Sequence, residues 1–454
     1  MIDRLRLTAL RRDEVAHFEA HSPKSAAHAL ARARHWHEAV PFHWMRDWPS
    51  PFPLVVAEAK GAQLTTVDGL LLDDFCLGDT AAMFGHSPQP VVDALARQST
   101  IGLSYMLPTA ETERVGDLLA ARFGLPFWQM TTTASEANRA VIRWCRAVTG
   151  RHKILIFNGC YHGAVDDVFV DLREGVPETR RSLLGQVTDL TKATSVVEFN
   201  DRAGLDAALA AGDVACVLAE PVMTNMGMIL PEPGFLAHLR EATSRAGTVL
   251  VWDETHTISS GWGGHSGTHG PAGDMLVIGK SIGGGVPCAA FGFSADLARR
   301  MTQAREMLPA GHSGIGTTLS ANALATAAMR AMLEQVMTEA AYCHMATLAD
   351  RLVGGLNAVI AGHALPWHVT NVGARVELVC APVPPRNGSE ARNAMDHELE
   401  ALLHLMLVNR GVLLAPFHNM MLVSPATTVD QIDRLIRRFA ESVAIILNKN
   451  GTSI

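Results

Sequence analysis

The sequence predicts an α/β protein, with a large domain built on a mostly parallel sheet flanked by helices and a smaller α+β domain. Three observations carry this expectation. Short apolar runs alternate with amphipathic helical runs from about residue 85 to 335. Three of the apolar runs end in a polar residue, namely Glu220, Asp253 and Lys280. In open α/β sheets, ligands bind outside the carboxyl ends of the strands. After about residue 340 the alternation stops and longer helices with scattered strands follow. The expected partition is an N-terminal segment at 1–75, a large domain at 76–338 and a C-terminal small domain at 339–454.

In order, a polar, Ala-rich helix is expected over about 13–38, then the Pro- and aromatic-rich stretch HEAVPFHWMRDWPSPFPLVV. VVAEA, AQLTTVDG and LLLDDFCL read as strands with a turn at Asp68-Gly69. SEANRAVIRWCRAV reads as a helix, with Ala137, Ala140, Val141, Trp144, Cys145 and Val148 on one face and Ser135 at the N-cap. KILIF (153–157), VACVLAE (214–220), TVLVWD (248–253), MLVIGK (275–280) and AAFGF (289–293) read as strands. Helices are expected at about 234–246 and 320–337. Beyond these come a helix near 345–361, a strand in ARVELVC (374–380) and an exposed loop in APVPPRNGSE (381–390). The last helix carries Ile432, Leu435, Ile436, Phe439, Val443, Ile446 and Leu447 as one apolar stripe.

Composition removes several function classes. Lys plus Arg number 38 against 45 Asp plus Glu, a net charge of −7 that argues against a dedicated nucleic-acid binder. No apolar run reaches the roughly 18 residues of a membrane span, and MIDRLRLTALRRDEVAHFEA lacks the apolar stretch of a secretory signal. The 7 Cys are scattered without CxxC spacing, so neither a zinc site nor a disulfide framework is expected. The expectation is a cytoplasmic protein with no membrane or nucleic-acid partner and no metal, even with His256, His265 and His269 close together in sequence.

Lys280 invites a nucleotide-binding reading, because GDMLVIGKS (273–281) is close to a phosphate-binding P-loop. Yet 5 residues, not 4, separate Gly273 from Gly279, and MLVI reads as strand. A P-loop needs consecutive free N–H groups there. A lysine enclosed by Gly279 and Gly283–Gly285 fits a Schiff-base amine instead. Asp253 ends a buried strand, where a carboxylate needs a partner. A protonated pyridine nitrogen would serve, which is the use pyridoxal phosphate (PLP) makes of such a residue; an N-cap is the alternative. TTTASEAN (131–138) places hydroxyls at a helix start, a ready anion site. GCYHG (159–163) offers a ring to stack on a flat cofactor, and SGIGTTLSAN (313–322) a second phosphate grip.

Taken together, FCLGDTAAMFGHSPQPVV, TTASEANRAVIRWCRAVTGRHKILIFNGCYHGAVDD, LAEPVMTNMGMILPEPGFL, VLVWDETH, VIGKSIGGGVPCAAFG and GTTLSANALA resemble the class III (subgroup II) PLP-dependent aminotransferases of fold type I, in the branch of glutamate-1-semialdehyde aminomutase. The resemblance implies a PLP cofactor in the large domain. It implies Lys280 as the Schiff-base lysine and proton shuttle, Asp253 on the pyridinium nitrogen and Tyr161 on the ring face, with His162 beside it. The N–H groups of Ala134 and Ser135 would hold the phosphate, Asn225 would lie near the ring hydroxyl, and Thr318 would reach the phosphate of a neighbouring subunit in a homodimer. His256 stands where many relatives carry Gln or Met, and it would either touch the same ring edge or pack there. Glu220 would make a structural contact near the site. Residues 1–75 would join the small domain and build the active-site entrance.

The sequence also departs from the family pattern. The usual Asn-Ser-Gly before the phosphate helix is Thr132-Thr133-Ala134, and the usual Gly-Thr is Thr317-Thr318. Val after Asp-Glu is Thr255, and the Arg that commonly follows this motif is absent. Ala415 stands where many amine transaminases carry Arg, as in the aminomutase branch. PFHNMM then replaces that branch's Glu-bearing loop. The implied activity is a ping-pong aminotransferase acting on a small-molecule amino donor and a carbonyl acceptor; the alternative is a glutamate-1-semialdehyde-type 2,1-aminomutase. Phe42, Trp44 and Arg46 lie where relatives build the substrate entrance.

Overall fold

The computed structural model describes residues 3–448. The chain divides into two compact units, one of residues 89–342 with 384–393, the other of the remaining residues. The division falls at 88/89 and 342/343, against the 75/76 and 338/339 suggested by the sequence.

The large unit is built on a seven-stranded sheet. Its strands are β1 (Phe127–Thr131), β2 (Lys153–Phe157), β3 (Thr194–Val197), β4 (Val214–Ala219), β5 (Val249–Asp253), β6 (Met275–Ile278) and β7 (Ala289–Phe293). Their spatial order is β1-β7-β6-β5-β4-β2-β3. All are parallel except β7, which runs antiparallel to both β6 and β1. Every residue of β4, β5, β6 and β7 is buried, which is why these strands read as continuous apolar runs without alternation. Phe157, Phe199 and Phe235 meet edge-to-face at 4.8–5.8 Å between centroids and anchor the helix Phe235–Ala246 near the sheet.

The register sets the site. Trp252 pairs with Ala219, so Asp253 and Glu220 end at the same level. Asp253 pairs with Val277, so Lys280 lies just past that level on the next strand.

Local corrections have identifiable causes. The expected helix at 13–38 is two helices, Arg4–His21 and Pro23–Arg32. Pro23 lacks the N–H that would continue the first helix and is suited to open the second. The helix start at 134 is capped by Thr133, whose side chain accepts from the Glu136 N–H; Ser135 lies inside the first turn. The helix expected at 320–337 is an α-helix only over Ala323–Ala331, capped by Asn322, and continues as a π turn over Met332–Val336. Arg122 donates to the Leu333 and Met337 carbonyls of that turn at 2.8 Å each. The stretch 381–390 is not simply an exposed loop of the small domain. Residues 384–393 belong to the large unit, and a helix begins at Gly388, where a Cβ would overlap the Asn158 carbonyl.

The small unit contains an antiparallel meander, Val56–Lys60, Gln63–Thr66 and Leu71–Asp74, extended by the parallel strand Val412–Leu413. A separate three-stranded antiparallel sheet pairs His368–Val372, Arg375–Val379 and Met420–Leu422. The helix Val429–Ile446 opens with a capping box, Thr428 with Gln431. It buries Ile432, Leu435, Phe439, Val443 and Ile446 of the expected stripe.

His404, on the helix His397–Asn409 of this unit, is fully buried and donates from Nε2 to the Leu414 carbonyl at 3.0 Å. Burial pulls its pKa down to about 4. Below the unfolded value of about 6.5, the unfolded chain takes up a proton that folded His404 refuses, so this group costs stability as pH falls from 6.5 toward 4. His404→Gln, which keeps a donor for Leu414, should therefore show a shallower fall in melting temperature on acidification than the natural protein. Parallel curves for the two proteins would contradict this.

Candidate active site

The site grows from the carboxyl ends of β4, β5 and β6 and from the start of the helix Ala134–Thr149, all within the large unit. Asp253, the last residue of β5, is 3% exposed. Its Oδ2 accepts from Asn138 Nδ2 at 2.8 Å and from His162 Nδ1 at 2.9 Å, and its Oδ1 accepts from the Thr255 N–H at 3.0 Å. Burial alone would push this carboxyl up. The hydrogen bond and charge of His162, with Thr255 and Asn138, more than offset it and hold the group at about 2. His162 behaves reciprocally. Burial pulls it down, while Cys160 and Asp253 raise it by more, so it sits well above the ordinary histidine value. Among the described residues Oδ1 has one hydrogen-bond partner, and a carboxylate oxygen has room for a further donor.

Glu254, one residue on, points elsewhere, as alternation along a strand requires. It accepts from the Thr257 hydroxyl and from the His265 and Ser266 N–H groups, and burial raises its pKa.

Lys280 follows β6 in a left-handed backbone conformation, φ +50°. A non-glycine residue there stores strain, a feature concentrated at functional sites. Gly279 before it is extended, and a Cβ on it would lie 2.9 Å from Ala134 Cβ and 3.3 Å from Ala289 Cβ. The missing side chain lets the lysine turn lie directly on the helix start. The Lys280 amine lies 2.6 Å from His256 Nε2. His256 Nδ1 lies 2.6 Å from Thr224 Oγ1, which is 2.5 Å from Glu220 Oε2.

Ala134 and Ser135 are the first two residues of a 16-residue helix, so their N–H groups have no intrahelical acceptor. Ser135 Oγ accepts from the Ala164 N–H at 3.0 Å. That bond staples the loop carrying Tyr161 and His162 to the helix start. Tyr161 is 41% exposed, and its ring centroid lies 6.5 Å from that of Phe169.

Sequence-expected residues thus fall into two groups. The first holds Lys280, His256 and Glu220 in one run of contacts through Thr224, and Asp253 and His162 in another, with Ala134 and Ser135 at the start of the helix that carries Asn138. Asn225 is half-buried in the turn bounded by the Met223–Ile229 bridge, and its side chain makes no hydrogen bond to described residues. Thr318 lies on an exposed loop held from below by Arg143, which donates to the Ser313 and Gly314 carbonyls, and by Ser320, which donates to Glu136.

Sequence reasoning missed Asn138 and Thr224. Asn138 had a readable signal, because an amide on the apolar face of a helix needs a buried partner. Thr224 had none.

The residues present fit PLP. Thr255 Oγ1, Asn138 Oδ1, His162 Nε2 and Ser281 Oγ are buried without a hydrogen-bond partner among the described residues, and such orphans on residues at or beside Asp253 and Lys280 ask for a polar ligand. The helix start suits a phosphate, Asp253 a protonated ring nitrogen, and Lys280 an aldehyde.

The staple gives a direct test. At Gly163, φ +86°, a Cβ would overlap Ser135 Oγ and lie 2.7 Å from Ser135 Cα. Gly163→Ala should weaken PLP binding, measured by equilibrium dialysis, by about tenfold or more, the scale of one or two lost hydrogen bonds. Gly116→Ala, where a Cβ meets nothing within 4 Å, should bind normally. Equal binding by both variants would contradict the staple.

Residues 45–443 match the class-III aminotransferase family. Glutamate-1-semialdehyde 2,1-aminomutase 1 of Bacillus cereus is 32% identical over 373 residues, 80% of this chain and 84% of that protein. The crystal structure of a glutamate-1-semialdehyde-aminomutase from Pseudomonas aeruginosa superposes with a TM-score of 0.96 at 46% identity, covering 98% of this chain and 99% of that one. A β-phenylalanine aminotransferase from Variovorax paradoxus superposes with a TM-score of 0.86 at 27% identity, covering 96% and 97%. The chain belongs to the class-III aminotransferases, a PLP-dependent family of fold type I.

Proposed function

We propose that this chain is an aminotransferase that moves an amino group between an amine or amino acid and a keto acid or aldehyde, with Lys280 as the reacting amine. The observation that carries the reading is the placement of Lys280 and of the ionised, buried Asp253 on neighbouring strand ends beside a free helix start. When bound, PLP supplies an aldehyde to capture amines and a pyridinium ring to withdraw electrons. Lys280 Nζ, in its neutral form, would take the proton from the substrate carbon and hold it for return. Asp253 would pair with a protonated ring nitrogen, and the N–H groups of Ala134 and Ser135 would bind the phosphate. Tyr161 would stack on the ring with His162 beside it, and Asn225 would lie near the ring hydroxyl.

The chain works as a homodimer in the cytoplasm, with Thr318 serving the partner's phosphate. The exposed Ile101, Leu103, Tyr105, Met106 and Leu107 in one stretch support an apolar interface, and no helix among the described residues is long and apolar enough to cross a membrane.

The second reading is a 2,1-aminomutase of glutamate-1-semialdehyde, favoured by the names of the Bacillus and Pseudomonas relatives. The same residues serve both. A mutase turns over its substrate with no keto acid present. The aminotransferase reading expects glutamate-1-semialdehyde to stall after at most one equivalent, with steady turnover only when an acceptor is added. In either case Lys280→Ala should abolish turnover and the visible absorbance of the lysine-bound cofactor. Lysine-independent turnover would contradict both readings.

A further inference from the structure

We propose that Glu220, Thr224 and His256 form a proton relay that ends on the amine of Lys280, with His256 as the group that takes the ammonium proton and Thr224 and Glu220 as its positioning residues. The inference rests on the reading of Lys280 as the reacting amine.

The polarity of the chain of contacts follows from what each group can donate. A carboxylate only accepts. The Thr224 hydroxyl proton is therefore committed to Glu220 Oε2, at 2.5 Å, while the Thr224 N–H approaches Oε1 at 3.4 Å. With its proton spent, Thr224 Oγ1 can only accept from His256 Nδ1, at 2.6 Å. A neutral imidazole protonated on Nδ1 carries its lone pair on Nε2. That lone pair faces the Lys280 amine at 2.6 Å. Glu220, Thr224 and His256 are each at least nine-tenths buried, so water does not compete to reorient them. Glu220 Oε2 also lies 3.7 Å from His256 Nδ1, close enough to stabilise a positive ring.

The transfer balances without another reactant. One N–H bond of the Lys280 ammonium breaks, its electron pair stays on nitrogen as the amine lone pair, and an N–H bond forms on His256 Nε2. The positive charge moves from lysine to the imidazolium, opposite Glu220. The reverse step returns the proton. A lysine amine attacks an aldehyde or removes a proton from carbon only in its neutral form, so the relay acts whenever Lys280 is not joined to the cofactor. It also gives Glu220 a specific task, beyond a structural contact.

The test has two readouts that do not depend on turnover. In the PLP-free protein labelled with 15N-histidine, the natural chain should show His256 protonated on Nδ1 and bare on Nε2. Thr224→Val should lose this preference, and Thr224→Ser should restore it. When PLP is then added, the absorbance of its attachment to Lys280 should grow about tenfold to a hundredfold more slowly in Thr224→Val and His256→Phe than in the natural chain, the range expected for loss of a positioned proton acceptor. Thr224→Ser should attach at close to the natural rate. An Nε2-protonated His256 in the natural protein, or natural attachment rates in Thr224→Val and His256→Phe, would overturn the relay. Failure of the natural protein to attach PLP at Lys280 would instead overturn the reading on which it rests.

Discussion

A carboxylate buried at the end of a central strand is the constraint on which the rest of the site depends. An unpaired buried charge costs several kcal/mol, so Asp253 could not stay ionised without donors supplied by other elements. The helix Ala134–Thr149 supplies Asn138, the loop after β2 supplies His162, and the turn after β5 supplies Thr255. Each contact pulls a separate segment toward the same point. Asn138 also donates to the His162 carbonyl at 3.0 Å, which ties helix and loop to each other as well as to the acid. The anion at the centre thus organises the groups around it.

Close backbone approach does the remaining placement. Gly279 brings the Lys280 turn against Ala134, and Gly163 brings the Tyr161 loop against Ser135. Both contacts converge on the first turn of one helix, where the N–H groups are unsatisfied. A ligand with an anionic end and an aldehyde would therefore bridge elements already held in contact. The loops after β4 and β5 supply Glu220, Thr224 and His256, which lead in a line of short contacts to the lysine amine.

The strand ends were the most legible part of the sequence. Apolar runs stopping at Glu220, Asp253 and Lys280 marked the central strands and the edge where they end, because burial on two faces leaves a strand no other composition. Ala134, Ser135 and Tyr161 followed from helix starts and glycine spacing together with the family resemblance. Three kinds of information were not legible. In TTTAS, several hydroxyls compete for one capping position, and only backbone geometry selects Thr133 over Ser135. The turn at Met332–Val336 depends on Arg122, more than two hundred residues away. The pairing of Thr224 with His256 joins two loops separated by |i−j| = 32, and no local pattern encodes such a contact. Thr318 lies on an exposed loop, and its proposed role belongs to a second copy of the chain.

An ionised Asp253 beside the ring would keep the ring nitrogen of bound PLP protonated. The most direct measurement is the nitrogen chemical shift of PLP labelled with 15N in its ring, bound to the natural protein and to Asp253→Asn near neutral pH. A protonated ring nitrogen is expected in the natural protein and an unprotonated one in the variant. An unprotonated nitrogen in the natural protein, or the same shift in both, would contradict it.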